Sequence, residues 1–294
     1  MNMRPPITLD ATQIASVVEE QLVAMTSTLR PDYLSALQAA LKSEKSSIGC
    51  LALEQLVANA RLAQTEGLPL CQDTGYVWVC LEVDGSVLVP GNIFSEVDAA
   101  VARAAEAAGM RTSLLHDALV KRVNTANNTP AFCEVLLSSD SCRPSAVLHI
   151  MLKGGGSDNA SALAMLPPSA GIEGVLEFVV RSVAAKGANA CPPLVLGVGV
   201  GSTFDKVAGL AKYALLRPLG STHPNEELAA LEKELLARIN ALGIGPGGLG
   251  GSTTALAVHI HSAPCHIASL AVAVSINCTA LRTSSTDLSG ILAF

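Results

Sequence analysis

VLHIMLKGGGSDN, residues 147–159, is the stretch that decides the fold class: an apolar run of strand length passes without a linker into a lysine and three glycines. Residues 147–152 read as a strand and Lys153-Gly154-Gly155-Gly156 as the turn leaving it. Upstream, residues 135–137 read as a further strand, 93–108 as a helix stopped at Gly109, and 77–83 as a strand closed by a turn at Asp84-Gly85-Ser86. Before residue 68 the texture is helical. Ile14, Val17, Val18, Leu22 and Met25 follow the three-to-four spacing of an amphipathic helix, and Tyr33, Leu34, Leu37 and Leu41 form a second set that starts near Pro31-Asp32. A third helix over 48–63 is stopped by Gly67 before Pro69. Downstream, 172–185, 204–216 and 226–242 read as helices, 194–200 as a strand punctuated by glycines, and 253–260 and 267–276 as buried strands. The chain is therefore expected to be α+β. A helical N-terminal part of about 1–68 precedes a mixed α/β catalytic part of about 69–294 with Gly-rich loops, the whole forming a single domain.

Composition narrows the function classes. Charged residues make up only 15% of the chain against 50% hydrophobic, so much surface is expected to be buried, a share of it against another subunit. With 3% aromatics, small aliphatic residues and glycine must fill a tight core. A net charge of −6 without a basic run argues against nucleic-acid binding, and an anionic substrate would need locally concentrated cations. The apolar run 267–276 carries two serines and is too short to span a bilayer. The opening MNMRPPITLD lacks the apolar core of a signal peptide, so a cytoplasmic, reducing location is expected. There the eight cysteines are core residues, reactive thiols or metal ligands rather than a disulfide framework.

Three glycine clusters stand out: KGGGSDN (153–159), GVGVGST (197–203) and GIGPGGLGGS (243–252). Each reads either as a tight turn or as exposed backbone N–H for an anion. A phosphate loop is excluded because Lys153 precedes its glycines, and a dinucleotide fingerprint because 197–201 gives G-x-G-x-G, which speaks against a nucleotide-binding protein. Cys71 in PLCQDTG, Cys191 in ACPP and Cys278 in INCTA lie at element ends, where site residues collect; Cys50, Cys80, Cys133, Cys142 and Cys265 lie in less informative contexts. No C-x-x-C pair exists. Asp73 is an acid–base candidate or a turn cap before Thr74-Gly75. His259, His261 and His266 flank the last strands as core, surface or catalytic groups. Arg111 fits a carboxylate clamp or a helix cap, and Lys153 a point charge for the same purpose or a solvated side chain.

Taken in order, PLCQDTG (69–75), VNTANNTPA (123–131), KGGGSDNAS (153–161), ANACPPLVLGVGVGST (188–203), LGIGPGGLGGSTTALAV (242–258) and the segment from His266 to Cys278 resemble the alpha-type region of class I fumarases and L-tartrate dehydratases. The family often has NTGDNTPA where this chain has Ala126 and Asn127, and Glu is common where Asp158 stands. The resemblance implies a hydro-lyase that hydrates or dehydrates a small dicarboxylate, with fumarate/malate the leading substrate pair and L-tartrate the alternative. It implies a 4Fe-4S cluster on Cys71, Cys191 and Cys278, with one iron left open as a Lewis acid. It also implies acid–base or substrate-contact roles for Asp73 and His266, and substrate contacts from Gln72, Arg111, Lys153 and the Gly154, Gly155 and Gly156 backbone. Family members pair this region with a beta-type region, so a separate beta subunit and a homo- or hetero-oligomer are expected. A reading of another class keeps the fold and uses the cluster as a non-catalytic iron or oxygen sensor.

Overall fold

The computed structural model describes residues 7–85, 87–138 and 146–288; Ser86, Cys142, the opening MNMRPP and the end of the tail lie outside them. In chain order the elements begin with β1 (Ile7–Thr8), α1 (Ala11–Ser27), α2 (Pro31–Ser43) and α3 (Ser47–Glu66). Then come β2 (Tyr76–Val83), β3 (Val87–Leu88), α4 (Val97–Ala107), β4 (Phe132–Leu137), β5 (Ala146–Lys153) and α5 (Gly155–Asn159). The last third carries β6 (Ala162–Leu166), α6 (Gly171–Lys186), β7 (Leu194–Ser202), α7 (Val207–Ala214), α8 (Glu226–Asn240), β8 (Ala255–Cys265), β9 (Leu270–Asn277) and β10 (Arg282–Asp287). Helices first and mixed sheets afterwards make the α+β class that the sequence pattern predicts.

Local signals explain most boundaries. Asp10 caps α1, its carboxylate accepting from Thr12 N at 2.7 Å, and Pro31 opens α2 at its first turn, where a missing N–H costs nothing. Gly67 ends α3 at φ +65°, with Leu68 N bonded back to Ala63 O at 3.0 Å. Asn225 caps α8 by accepting from Leu228 N at 3.0 Å, beside Glu226 and Glu227 in the first turn. Some expectations shift. The helix expected from residue 93 begins only at Val97, because Pro90, Asn92 and Phe94 accept i→i+3 bonds from Ile93, Ser95 and Val97 and hold the segment in turns. The helix expected from 204 begins at Val207, after a turn in which Thr203 Oγ1 donates to Asp205 Oδ1 at 2.6 Å. Strand β9 starts at Leu270 rather than 267, since His266 anchors a turn there. Strands β6 and β10 carry little apolar alternation, and the sequence pattern does not reveal them.

The described residues fall into two compact units. The first comprises those of Met1–Thr28, Leu62–Lys153 and Arg282–Phe294. Its four-stranded sheet has the order β10-β5-β2-β4, with β5 antiparallel to both neighbours and β2 parallel to β4. Val77, Val79, Leu81 and Val83 of β2 and Leu148, Ile150 and Leu152 of β5 form one face, packed with Ile14, Val18 and Leu22 of α1 and Val97 and Val101 of α4. Each such side chain contributes about 1.5–3 kcal/mol by leaving water.

The second unit comprises Leu29–Arg61 and Gly154–Leu281. Its sheet has the order β6-β9-β7-β8, with β7 parallel to β8 and antiparallel to β9. Leu194, Leu196 and Val198 of β7 pack with Leu176, Val179 and Val183 of α6 and Leu235 and Ile239 of α8. The alternate residues Gly197 and Gly199 lie under α7: a Cβ on Gly197 would stand 2.0 Å from Ala211 O and one on Gly199 2.3 Å from Val207 O. The glycine punctuation of β7 is thus the space in which a helix backbone sits.

Candidate active site

In the first unit the residues 71–75 form a turn between α3 and β2. Asp73 Oδ1 accepts from Gly75 N at 3.1 Å, so Asp73 does cap the turn, and the Asp73 carbonyl accepts from Arg282 Nη2 at 2.9 Å. Thr74, buried, donates its hydroxyl to Arg111 O at 2.9 Å, and Arg111 Nη1 donates to Gln72 Oε1 at 3.0 Å. Gln72 and Arg111, distant in sequence, therefore share one polar cluster with Asp73, and both are exposed. Asn128 locks this cluster from below. It is fully buried, its Nδ2 donates to Arg111 O at 2.9 Å and its Oδ1 accepts from Ser113 N at 2.7 Å. Asn128 at φ +59° and Ala126 at φ +64° both adopt the left-handed conformation. Lys153, the last residue of β5 and the register partner of Tyr76, is fully buried, so the solvated reading of this lysine is corrected.

The second unit holds the other candidates. Cys191 is exposed, at φ +55°, between the turn Gly187–Ala190 and β7. Thr279 N donates to Cys191 O at 3.0 Å, which joins the Cys191 segment to that of Cys278. Tyr33, fully buried on α2, places its hydroxyl 3.2 Å from both Pro193 O and Cys278 O and so straps the two segments together. Burial first, then the neighbouring Cys278 sulfur, pushes the Tyr33 hydroxyl well above the usual phenol range, so it stays a donor. Asn277 Oδ1 accepts from Cys278 N at 2.9 Å, while its buried Nδ2 has no hydrogen-bond partner among the described residues. Gly154 precedes α5, its carbonyl accepting from Asp158 N and Ser157 Oγ, each at 3.0 Å. Gly155 and Gly156 are exposed, and Gly156 lies against the turn that leads to Cys191. His266 stands exposed in the turn between β8 and β9, its Nδ1 accepting from Ala268 N at 3.1 Å; the neutral ring therefore carries its proton on Nε2.

Chemistry separates the remaining candidates. Burial first, then Glu134 and Glu82, pushes the Cys80 thiol up to about 12; burial and Asp98 do the same to Cys133, so neither offers a ready thiolate. Cys265 is tied to Ser269 O and Cys50 to Glu44 O. His259 is buried, and burial first, then Arg217, lowers it to about 4, which makes it a neutral core residue. His261 makes an edge contact with Tyr213. Among the described residues, no three His, Cys, Asp or Glu side chains are grouped to hold a single metal ion. A four-iron cluster makes a different demand, because each thiolate meets its own iron and the ligands lie further apart. Soft cysteine donors on turns, with an unsatisfied buried amide donor beside one of them, fit such a group.

Sequence reasoning did not single out Tyr33, Asn128, Asn277 or Arg282. Asn128 and Asn277 lie inside stretches already marked by their neighbours, whereas Tyr33 reads as an ordinary helix core residue.

Residues 15–287 match the profile of the fumarate hydratase (Fumerase) family, and the chain belongs to that family of hydro-lyases. It is 40% identical over 274 residues to the putative L(+)-tartrate dehydratase subunit alpha of Methanocaldococcus jannaschii, covering 92% of this chain and 95% of that protein. It is 34% identical over 267 residues to the L(+)-tartrate dehydratase subunit alpha of Escherichia coli K12, covering 88% and 86%. No helix among the described residues is long and apolar enough to cross a membrane.

Proposed function

We propose that this chain is the alpha subunit of a 4Fe-4S hydro-lyase that adds or removes water on a small dicarboxylate, completed by a separate beta-type subunit. The observation that carries the reading is the strapping of Cys191 to the Cys278 segment by Thr279 and Tyr33 in a chain of the fumarate hydratase family. Cys71, Cys191 and Cys278 would hold the cluster. When bound, it supplies a Lewis acid that polarises the carbon–oxygen bond.

The remaining work falls to the chain's own groups. Arg111, braced through Nη1 by Gln72, has the fork geometry that receives a carboxylate bidentately, and its exposure leaves it open to one. Lys153 adds positive charge immediately before Gly154, and the backbone of the Gly154–Gly156 turn is of the kind that offers dipoles to an anion. Asp73, fixed through Oδ1, and His266, held through Nδ1, are the acid–base groups that remove the proton from the carbon beside the departing hydroxyl and protonate the leaving oxygen, in whichever order.

The names of the relatives favour L(+)-tartrate as a second reading of the substrate, beside fumarate and malate. The two differ by a hydroxyl, whose recognition needs a polar partner. The test is anaerobic reconstitution of the chain beside Cys71→Ser, Cys191→Ser, Cys278→Ser and Cys80→Ser. About four irons per chain, lost in the first three variants and kept in the last, supports the cluster. Turnover of fumarate, malate or L-tartrate with a beta-type subunit then fixes the substrate. A loaded chain that turns over none of them with any such partner would favour the sensor reading.

A further inference from the structure

Asn277 is the last residue of β9 and is 1% exposed. Its carboxamide is oriented by one contact: Oδ1 accepts the N–H of Cys278 at 2.9 Å, which fixes the other end as the NH2 group. That NH2 is buried and donates to nothing among the described residues. A buried amide donor without an acceptor is costly, and native proteins rarely keep one unless something else receives the hydrogen bond. The Asn277 NH2 is carried by the residue next to Cys278, and the Oδ1 of the same carboxamide already accepts the Cys278 N–H. A cluster sulfide is an acceptor of the kind that this donor lacks.

We propose that Asn277 is a positioning residue for the cluster: its NH2 donates a hydrogen bond to a sulfide of the cluster bound beside Cys278. This rests on the cluster reading given above and adds a role to it. Hydrogen bonds to sulfur withdraw negative charge, raise the reduction potential and slow oxidative loss of iron. The same carboxamide orders the Cys278 peptide, so a single side chain sets both the ligand's backbone and its electronic state.

Asn277→Asp separates these two jobs, because a carboxylate keeps the acceptor for Cys278 N–H and loses the NH2. Asn277→Leu removes both and serves if the charged variant does not fold. The measurements on the anaerobically reconstituted full chain are iron and sulfide content, the midpoint potential by spectroscopic titration, the decay of the cluster absorbance in air, and the urea midpoint of the iron-free protein. In the variants that still load iron the expected result is a lower potential and decay about tenfold faster, while the iron-free urea midpoint of Asn277→Asp falls because a buried carboxylate is costly. A wild-type chain that loads iron, with a variant whose potential and air lifetime match it, overturns the role of Asn277 alone. A wild-type chain that takes up no iron overturns the cluster reading and this role together.

Discussion

Two stretches of the second unit carry three glycines each, Gly197, Gly199 and Gly201 in β7 and Gly154–Gly156 at the start of α5, for opposite physical reasons. In β7, Gly197 and Gly199 alternate with Leu196 and Val198; the aliphatic side chains face α6 and α8, and the glycines face α7 at a separation that leaves no room for a methyl group. At the start of α5, Gly156 has only Asn189 O within reach of an added Cβ, at 3.6 Å, and its φ is not left-handed. Neither packing nor backbone conformation demands glycine there. What glycine leaves at that point is an exposed backbone beside the Cys191 turn. The first region is glycine because a helix needs the space; the second has no such packing reason, which agrees with the anion-binding role proposed for it.

The largest expected effect breaks the first half of this contrast. Gly199→Ala drives a methyl group into Val207 O, a backbone atom that cannot swing aside, and should destabilise the chain by about 3 kcal/mol. The urea midpoint and slope report it. A loss of a few tenths would mean that α7 can lift off β7, and the close approach would lose its meaning.

The third glycine-rich stretch, 243–252, sharpens the comparison because a carboxylate holds it. Glu44 is 8% exposed and accepts from Lys45 N, Ser46 N, Ser252 N, Ser252 Oγ and Thr253 N at 2.9–3.1 Å. Burial alone would raise its pKa, but the Ser252 and Ser46 N–H groups, with the Thr253 and Ser252 contacts, outweigh it and lower the group from 4.5 to about 2. The folded-state pKa is depressed, so its contribution is fully present above about 4.5 and is lost as the pH falls toward about 2. Glu44→Gln should cost about 2 kcal/mol at neutral pH, and the gap from wild type should close over that acid window. A gap that stays constant down to pH 2 would show that the charge has no part in holding the loop.

How much of this was legible in the sequence follows the same division. The strand and helix of β5 and α6, and the order of the three glycine clusters, stand out because apolar runs and breakers mark them directly. Cys71, Cys191 and Cys278 stand out because they sit at element ends. The reason for Gly197 and Gly199 was hidden, since α7 approaches from residues 207–214 and only the sheet brings it there. Glu44, Tyr33, Asn128 and Asn277 were hidden for a similar reason: each is an unremarkable residue locally, and what it holds is a backbone segment elsewhere in the chain or an adjacent peptide. Strand β10, RTSSTD, was missed because its polar residues alternate without an apolar face to betray the period.

A smaller effect reverses the glycine logic. Ala126 stands at φ +64°, its N–H held by Asn124 Oδ1 at 2.8 Å. A methyl group is strained in that conformation. Ala126→Gly should therefore stabilise the first unit by about 1 kcal/mol, visible as a higher melting temperature. A loss instead would mean that the unfolded-state entropy of glycine exceeds the strain relieved.

The smallest effect on stability is also the one that tests the second half of the contrast. Gly156→Ala meets only an ordinary contact and sits in a short helix, where alanine is the better residue; stability should stay level or rise by up to about 1 kcal/mol. The methyl group would nevertheless stand over the backbone that is proposed to receive a carboxylate. The KM for the dicarboxylate should then rise about tenfold, with iron content unchanged. The two readouts must part company for the argument to hold, because a glycine kept for a ligand is one whose replacement the fold does not notice. If stability and KM both stay level, Gly156 is neither a packing nor a binding glycine, and the loop has no part in holding the anion.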